Sequence, residues 1–523
     1  MRSPARSPAS RLASIGALLV AFAVALSACS ATTGPPVARD AAPVELRLLL
    51  TTDEHDWIEP LLDGDTRRGG VVQAFDQMSR DDALGSDGVV LLSAGDMWTG
   101  PYESTMLKGK PMLEAFNRMG YAAAVVGNHN FDFGLEILAR RSDEAEFPFL
   151  AANVRRRSSG EMPAWAEAST LVESAGVKVG VIGLANIDTP KTTHPRTVAS
   201  LEFTDYLAAI RAEVPRLRAA GAELIVVLIH DGLLAAATMR DDLRRLGVHV
   251  VGAGHVHQPG IINDDGGTPD RPDDDIVMCN AGPYFRTYCR IDVTMVGSRL
   301  VSHDATIVEV SLPAAEEPAS PDPDLLEIVA EAKRKSSVAI AEETLVVSPE
   351  PIARRDGALG QMITDAWLTK FPDADVAITN AGGIRQGLAA GDVRIRDVIS
   401  VLPFKNYLVV VDIDGKQLRE ALTNPESIAS GVRYTYRDVG AQRTIVDLTD
   451  VAGRSIADDE ALRVVVNDFM YSGGDGYLFY EYDPDAFTTP VDWRGPVITQ
   501  LRKLGEAGRQ LEISADDRAR PVN

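Results

Sequence analysis

Nine side chains in the first half of this 523-residue chain are of types that hold metal ions or move protons, and they fall in short clusters. Asp53 and His55 sit in Thr51-Thr52-Asp53-Glu54-His55, and Asp96 follows Gly95. Asn128, His129 and Asp132 share Gly127-Asn128-His129-Asn130-Phe131-Asp132, His230 ends an apolar run, and His255 and His257 close Gly254-His255-Val256-His257. A thiolate-free set of Asp, Asn and His suits divalent ions such as Mn, Zn, Co, Fe or Mg and argues against a structural zinc. Two such ions about 3.5–4 Å apart, sharing one carboxylate, would clamp the attacking and leaving oxygens of a phosphoryl group. A lone Asp after a strand is usually a cap or turn former. Five of the eight histidines nevertheless belong to this one set, which independent structural roles do not explain. His194, His249 and His303 lie outside it and read as structural residues.

The elements that position these residues can be read from the apolar pattern. Leu46–Leu50, Val89–Leu92, Ala123–Val126, Val179–Ile182, Leu224–Ile229 and Val248–Val251 read as buried strands. Val71–Arg80, Pro111–Met119, Asp205–Ala220 and Leu234–Leu246 read as amphipathic helices between them. Such alternation implies a layered α/β domain with helices on both sheet faces. Five strands each release a carboxylate, amide or imidazole just past their C-terminal ends, the edge where α/β sheets build sites. Asp53 and His55, and likewise His255 and His257, are two residues apart, so extended backbone would turn each pair to one side. The glycines before Asp96, Asn128 and His255 are expected to allow tight turns.

Taken together, the successive motifs D-x-H, G-D, G-N-H, a strand ending in His, and G-H-x-H resemble the calcineurin-like metallophosphoesterases, and among them the bacterial 5′-nucleotidases. The resemblance runs from about residue 44 to 510. It implies a four-layer N-terminal sandwich of mixed sheets flanked by helices, and a smaller α/β substrate-binding domain joined to it by a linker helix. It also implies two divalent ions, one held by Asp53, His55, Asp96 and His257 and the other by Asp96, Asn128, His230 and His255, with Asp96 shared. His129 would be the catalytic histidine, oriented by Asp132, while metal-activated water attacks in line. Asn130 stands where the family usually has Glu, and Thr52 where Asn is common. Both positions would tune the ligands rather than bind the ions.

Pro313–Asp324 reads as a linker and Asp324–Lys335 as a charged helix, so the expected domains are 44–312 and 346–515, with 313–345 between. The second part is expected to hold a helix at Ala358–Lys370 and strands near Val376–Thr379 and Leu408–Ile413. Its loop Asn380-Ala381-Gly382-Gly383-Ile384-Arg385 lets backbone approach a phosphate that Arg385 can grip with a fork of donors. By the resemblance, Asn380, Gly382, Gly383 and Arg385 contact substrate, Phe469 stacks on a base and Asp475 accepts from ribose hydroxyls. The family's second base-stacking aromatic aligns with Leu408, and a further substrate-binding arginine with Ala353, beside Arg354 and Arg355.

At the N-terminus, Arg2, Arg6 and Arg11 precede the apolar run Ile15–Leu26 and then Ser27-Ala28-Cys29, an export-signal pattern over residues 1–28. Cys29 after Leu-Ser-Ala resembles the bacterial lipoprotein signal, which implies a lipid-anchored exported protein with residues 29–43 as tether. The formal charge is −23, and processing would remove only arginines among the charged residues, which argues against nucleic acid as a partner. Small phosphates remain compatible, because bound cations invert the local field. Cys279 and Cys289 are either a disulfide or two buried thiols. The expected activity is metal-dependent hydrolysis of nucleotide phosphate esters. The alternatives are a 2′,3′-cyclic nucleotide phosphodiesterase or nucleotide-sugar hydrolase of the same family, or a lipoprotein that binds nucleotides without turnover.

Overall fold

The computed structural model describes residues 42–522 apart from 64, 269–270, 339, 355–356, 441 and 514–516. The export segment, Cys29 and Arg355 lie outside the described residues. Among those described, no helix is long and apolar enough to cross a membrane.

Two six-stranded sheets form the N-terminal part. In the first, Val44–Thr51, Val89–Ser93, Ala123–Val125 and Phe149–Leu150 run parallel. The hairpin Thr287–Val296/Arg299–Glu309 adds antiparallel strands beyond Val44–Thr51. In the second, Val177–Leu184, Leu224–Ile229, Val250–Ala253 and Ile276–Asn280 are parallel, and antiparallel strands flank them at both edges.

The unbroken apolar runs are explained by burial on both strand faces. Leu46, Leu48 and Leu50 meet Val179, Val181, Val226 and Leu228 between the sheets. Leu49, Leu91 and Ala124 point the other way, onto helices Val71–Asp81 and Lys110–Met119. On the second sheet Ile225, Val227 and Val251 turn outward towards helix Tyr206–Ala219. Each sheet therefore carries helices on one face and its partner sheet on the other. This is the four-layer arrangement of helix-flanked mixed sheets that the family resemblance implies; the alternation by itself put helices on both sheet faces, because an apolar strand face can be covered equally well by a helix or a sheet.

Cys279 and Cys289 form a disulfide with Cα atoms 6.4 Å apart. It joins the second sheet to the first within the layer between them. The run Leu234–Leu246, expected as one helix, is two, Gly232–Thr238 and Arg240–Arg245. Met239 between them sits at φ −98°, ψ 0°, at the margin of helical geometry, although the apolar spacing continues through it.

Helix Pro323–Ser336 follows, started by Asp322, whose carboxylate accepts from Asp324 and Leu325 N–H, and by proline in the first turn. Its Leu325 and Ala332 pack on the N-terminal part. The C-terminal part has a five-stranded sheet in the order Ser427–Ser430, Val376–Asn380, Ala461–Asn467, Tyr407–Asp414, Phe487–Asp492. Helices Gly357–Lys370 and Arg494–Glu506 cover one face, and helix Gly415–Leu422 with the hairpin Val432–Val439/Gln442–Asp450 covers the other.

Candidate metal centre and cleft

Where the parallel strands of both sheets end, their loops converge. Asp53, His55 and His257 bring ligand atoms within 4.8 Å of one another, and so do Asp96, His230 and His255. Both carboxylates reach across the groups: Asp96 Oδ2 is 2.9 Å from His230 Nε2 and 4.0 Å from His55 Nε2. Asp53 Oδ1 is 3.3 Å from His257 Nε2 and 3.9 Å from His230 Nε2.

The imidazoles are oriented from behind. His230 Nδ1 donates to the Ala94 carbonyl at 2.7 Å, and His55 Nδ1 to the Thr99 carbonyl at 3.0 Å. Each Nε2 lone pair is thereby turned into the site. Asn128 Oδ1 is buried without a hydrogen-bond partner and His230 Nε2 faces the Asp96 carboxylate, as expected of atoms that coordinate a cation. Asn128 Nδ2 meanwhile donates to the Thr192 carbonyl at 3.0 Å, which aims Oδ1. The residues present thus fit a pair of divalent ions.

Electrostatics agree with that fit. Burial would raise the Asp96 carboxyl, but His230 and His129 beside it hold it well below the usual carboxylate range. Burial would lower His230, yet Asp96 and Asp53 lift it to about 9, so its Nε2 sits where positive charge is favoured. Burial takes His255 down to about 4. Glu54, hydrogen-bonded by Thr51 and Ser93, is pushed by burial up to about 8.

The backbone differs from the expected extended geometry. Asp53, His55, Asp96, His255 and His257 have φ of 53°, 48°, 59°, 78° and 55°. Left-handed turns, not strand alternation, present these ligands, because the chain reverses immediately after each strand end. Gly95 is left-handed at φ 105°, but Gly127 is extended at φ −85°. Gly127 is instead required for space, since a Cβ there would run into the Asp96 carboxylate. Gly254 is comparable: its Cβ would press on Thr52 and His230. The two departures from the family pattern lie behind the ligands, with Asn130 Oδ1 accepting from Gly127 N–H at 2.7 Å and Thr52 hydroxyl donating to Asp53 at 2.8 Å.

Beside the ligands, His129 Nδ1 is 2.7 Å from Asp132 Oδ2, and His129 N–H donates to Asp96 Oδ1 at 2.8 Å. His129 and Asp132 border a cleft of about 860 Å³ whose opposite wall is C-terminal: Asn380, Gly382, Gly383, Arg385, Phe469 and Asp475 all line it. Asn380 Nδ2 donates to Asp475 Oδ2 at 2.7 Å, and the Asp475 carboxyl is raised by burial. Arg385 reaches across to His55, Nη2 to Nε2 at 3.1 Å.

Sequence reasoning gave Leu408 a place in the cleft that it does not have, and gave no role to Phe404, Arg354 or His194, which line it. Leu408, aligned with a base-stacking aromatic, is fully buried in the C-terminal core and faces no cleft. Phe404, four residues earlier in the motif Leu402-Pro403-Phe404, lines the cleft and stacks on His129 with ring centres 5.5 Å apart. Arg354 also lines it, with Nε donating to the Ile384 carbonyl at 2.6 Å. His194, read as structural, borders the cleft 3.8 Å from Asp468. Only Phe404 carried a local signal, the Pro-Phe pair itself. Of the other two histidines outside the set, His249 meets the Asp275 carbonyl and His303 the Asp275 carboxylate.

Residues 338–481 match the family described as 5′-nucleotidase, C-terminal domain. The chain is 25% identical over 505 residues to a 5′-nucleotidase of Vibrio vulnificus, covering 88% of this chain and 90% of that one. It is 25% identical over 527 residues to protein UshA of Salmonella pullorum, covering 90% and 92%. Identity to the trifunctional nucleotide phosphoesterase YfkN of Bacillus subtilis is 28% over 476 residues, or 80% of this chain but 32% of that longer protein. A 5′-nucleotidase precursor from Thermus thermophilus has a similar fold, with TM-score 0.79 and 24% identity over 92% of this chain and 100% of that one.

Proposed function

Because the chain belongs to the bacterial 5′-nucleotidase family, we propose that it hydrolyses phosphate esters of nucleotides in the cleft between its two sheet systems. The observation that carries this reading is one cleft with two carboxylate–imidazole groups and a His–Asp pair on one wall and aromatic, amide and guanidinium groups on the other. Asp53, His55, Asp96 and His257 would hold one divalent ion, and Asp96, Asn128, His230 and His255 the other. When bound, such ions supply Lewis acidity to the phosphoryl oxygens and acidify water.

The chain's own groups then divide the work. Arg385 binds non-bridging phosphate oxygens through its fork of donors. His129, its Nδ1 held by Asp132, turns Nε2 to the leaving ester oxygen and gives it a proton as the P–O bond breaks. Asp132 stabilises the positive ring before that transfer. Phe404 and Phe469 provide apolar faces for a base, while Asp475 and Asn380 accept from and donate to the sugar hydroxyls.

The domain limits 44–312 and 346–515, with 313–345 as connector, belong to the same proposal, as do export over residues 1–28 and lipidation of Cys29. A membrane-fraction protein whose Cys29→Ser variant becomes soluble would support the anchor; an unchanged distribution would refute it. For the enzyme, the test is phosphate release by the chain lacking residues 1–29, with Mn, Zn, Co or Mg, from AMP, UMP, ADP, ATP, a 2′,3′-cyclic nucleotide, a nucleotide sugar and an aryl phosphate. Metal-dependent release from nucleoside monophosphates supports the reading. Release only from cyclic, sugar-linked or base-free substrates overturns the nucleotidase assignment, and binding of nucleotides without release overturns the enzyme.

A further inference from the structure

Between the His129–Asp132 pair and the turn that carries Asp475 lies a short segment to which the reading above gives no task. Its shape follows from its prolines. Pro190 opens the single-turn helix Thr189–Thr192, and the Asp188 carbonyl accepts from Thr192 N–H at 3.1 Å. Pro195 prevents that helix from continuing through His194. Thr193 is therefore extended, at φ −129° and ψ 174°, and only 2% exposed.

In that conformation the Thr193 hydroxyl donates to Asp132 Oδ1 at 2.9 Å. The other Asp132 oxygen is the one 2.7 Å from His129 Nδ1. One residue earlier, the Thr192 carbonyl accepts from Asn128 Nδ2 at 3.0 Å. Two consecutive residues thus grip the turn Asn128–Phe131 and its neighbour Asp132 from a loop that follows a different strand. The helix Thr189–Thr192 also packs against the turn Gly474–Gly476 of the C-terminal part, which holds Asp475.

We propose that Thr193 is a positioning residue for the His129–Asp132 pair, and that helix Thr189–Thr192 ties this pair to the turn bearing Asp475. A carboxylate anchored through one oxygen can swing about its terminal torsion. With both oxygens held, its plane is fixed, and so are the tautomer and direction of the imidazole it meets. Thr193 acts through Asp132; it borders the cleft but, at 2% exposed, offers substrate almost no surface. The inference rests on the proposed role of His129 as proton donor.

Thr193→Val removes the hydroxyl with little change in size, and Thr193→Ser keeps it. In the metal-loaded chain, Thr193→Val is expected to lose about tenfold in kcat. KM should stay within about twofold, since no substrate contact is lost. Bound metal per chain should not change, and Thr193→Ser should restore kcat. Thr193→Val added to Asp132→Asn should cost no more than Asp132→Asn alone, because both act through one group. The activity-independent readout is imidazole nitrogen NMR of His129, assigned by comparison with His129→Ala. Once the ring has lost its Nε2 proton, wild-type and Thr193→Ser should show one fixed Nδ1–H tautomer, and Thr193→Val a mixture. Wild-type kcat and tautomer in Thr193→Val would overturn the inference. So would additivity with Asp132→Asn, or a Thr193→Ser variant as impaired as Thr193→Val, which would mark a packing role. If the wild-type chain cleaves no phosphoester, the proposed function fails, while the tautomer comparison still decides what Thr193 does.

Discussion

Replacing Phe404 with Ala should damage two steps at once, and the two can be separated. Its ring stacks on His129 at 5.5 Å and lies 5.9 Å beneath the Arg385 guanidinium. The Trp493 indole N–H holds the Phe404 carbonyl at 2.9 Å, so the ring is placed from behind rather than by substrate. Loss of a base-stacking face is worth ~1–3 kcal/mol, or about 5- to 150-fold in kcat/KM for a nucleotide. Loss of the ring that steadies His129 adds ~0.5–1.5 kcal/mol, about 2- to 12-fold, and this part applies to any phosphate ester. Phe469 has no ring contact with His129, and it packs against Gly474. Phe469→Ala should therefore weaken nucleotides alone. The assay is kcat/KM for AMP and for an aryl phosphate in both variants. The aryl phosphate should fall with Phe404→Ala and hold with Phe469→Ala. Leu408→Ala, cutting a fully buried core residue, should lower stability by ~2–5 kcal/mol and leave base preference intact. An aryl phosphate rate untouched by Phe404→Ala, or a base preference altered by Leu408→Ala, would refute the reasoning.

Asp96→Ala should lower bound metal below two ions per chain, measured by elemental analysis of the purified protein, and retention of both would contradict its shared position. His129→Ala should cut turnover by ~10²–10⁴-fold with metal content unchanged; loss of metal in parallel would make His129 a ligand. Opening the Cys279–Cys289 bridge, whose cysteines are 10 residues apart, should destabilise by about 3 kcal/mol. Thermal unfolding with and without reductant reads this, and the double serine variant should no longer respond to reductant. Asp96→Gly should be more stable than Asp96→Ala by ~1–2 kcal/mol in chelator-treated protein, because φ 59° suits glycine; equal melting temperatures would deny that the turn is strained.

The ligand-bearing half was legible because each of its signals is local. A strand such as Leu224–Ile229 announces itself by continuous apolarity, and His230 follows it directly. The same locality hid the second sheet: nothing in Val177–Leu184 says whether its faces meet helices or another sheet. The left-handed turns were also missed, since Asp and His adopt positive φ more often than most residues but still only in a minority of cases, and alternation suggested an extended chain. Contacts made across long separations were harder still. Phe404 meets His129 from 275 residues away, and Thr193 meets Asp132 from a loop after another strand. Leu408 misled because alignment within a motif cannot report which way a strand residue points. Position 408 is paired with Asn467 in a central strand whose other neighbours settle its facing inward.

Five ligand positions in left-handed backbone amount to strain on the order of 5–10 kcal/mol, comparable to the whole net stability of a domain. Such turns persist only where neighbours over-determine them. Here each loop is braced by another loop of the same site. Asp53 N–H donates to Gly95 O at 2.8 Å, and His55 N–H to Asp96 O at 3.0 Å, so the first two ligand loops hold each other. The third element is the loop closed by the disulfide, whose Tyr284 N–H donates to Asp53 O at 2.9 Å and whose ring packs on His55 and His257. The fourth closes the circle, since His255 N–H donates to the Asp53 carboxylate at 3.0 Å. Because these braces run from loop to loop, the polypeptide itself fixes the positions of the candidate ligands. The recognition groups are braced within the C-terminal part instead, Asn380 by Asp475 and the Phe404 carbonyl by the Trp493 indole. Arg385, Phe404 and Phe469 reach the cleft from the other sheet system, with Arg385 meeting the ligand wall through a single side-chain contact to His55. Changes in substrate preference should accordingly be cheap to make on the C-terminal wall, whereas changes among the ligands must break several braces at once.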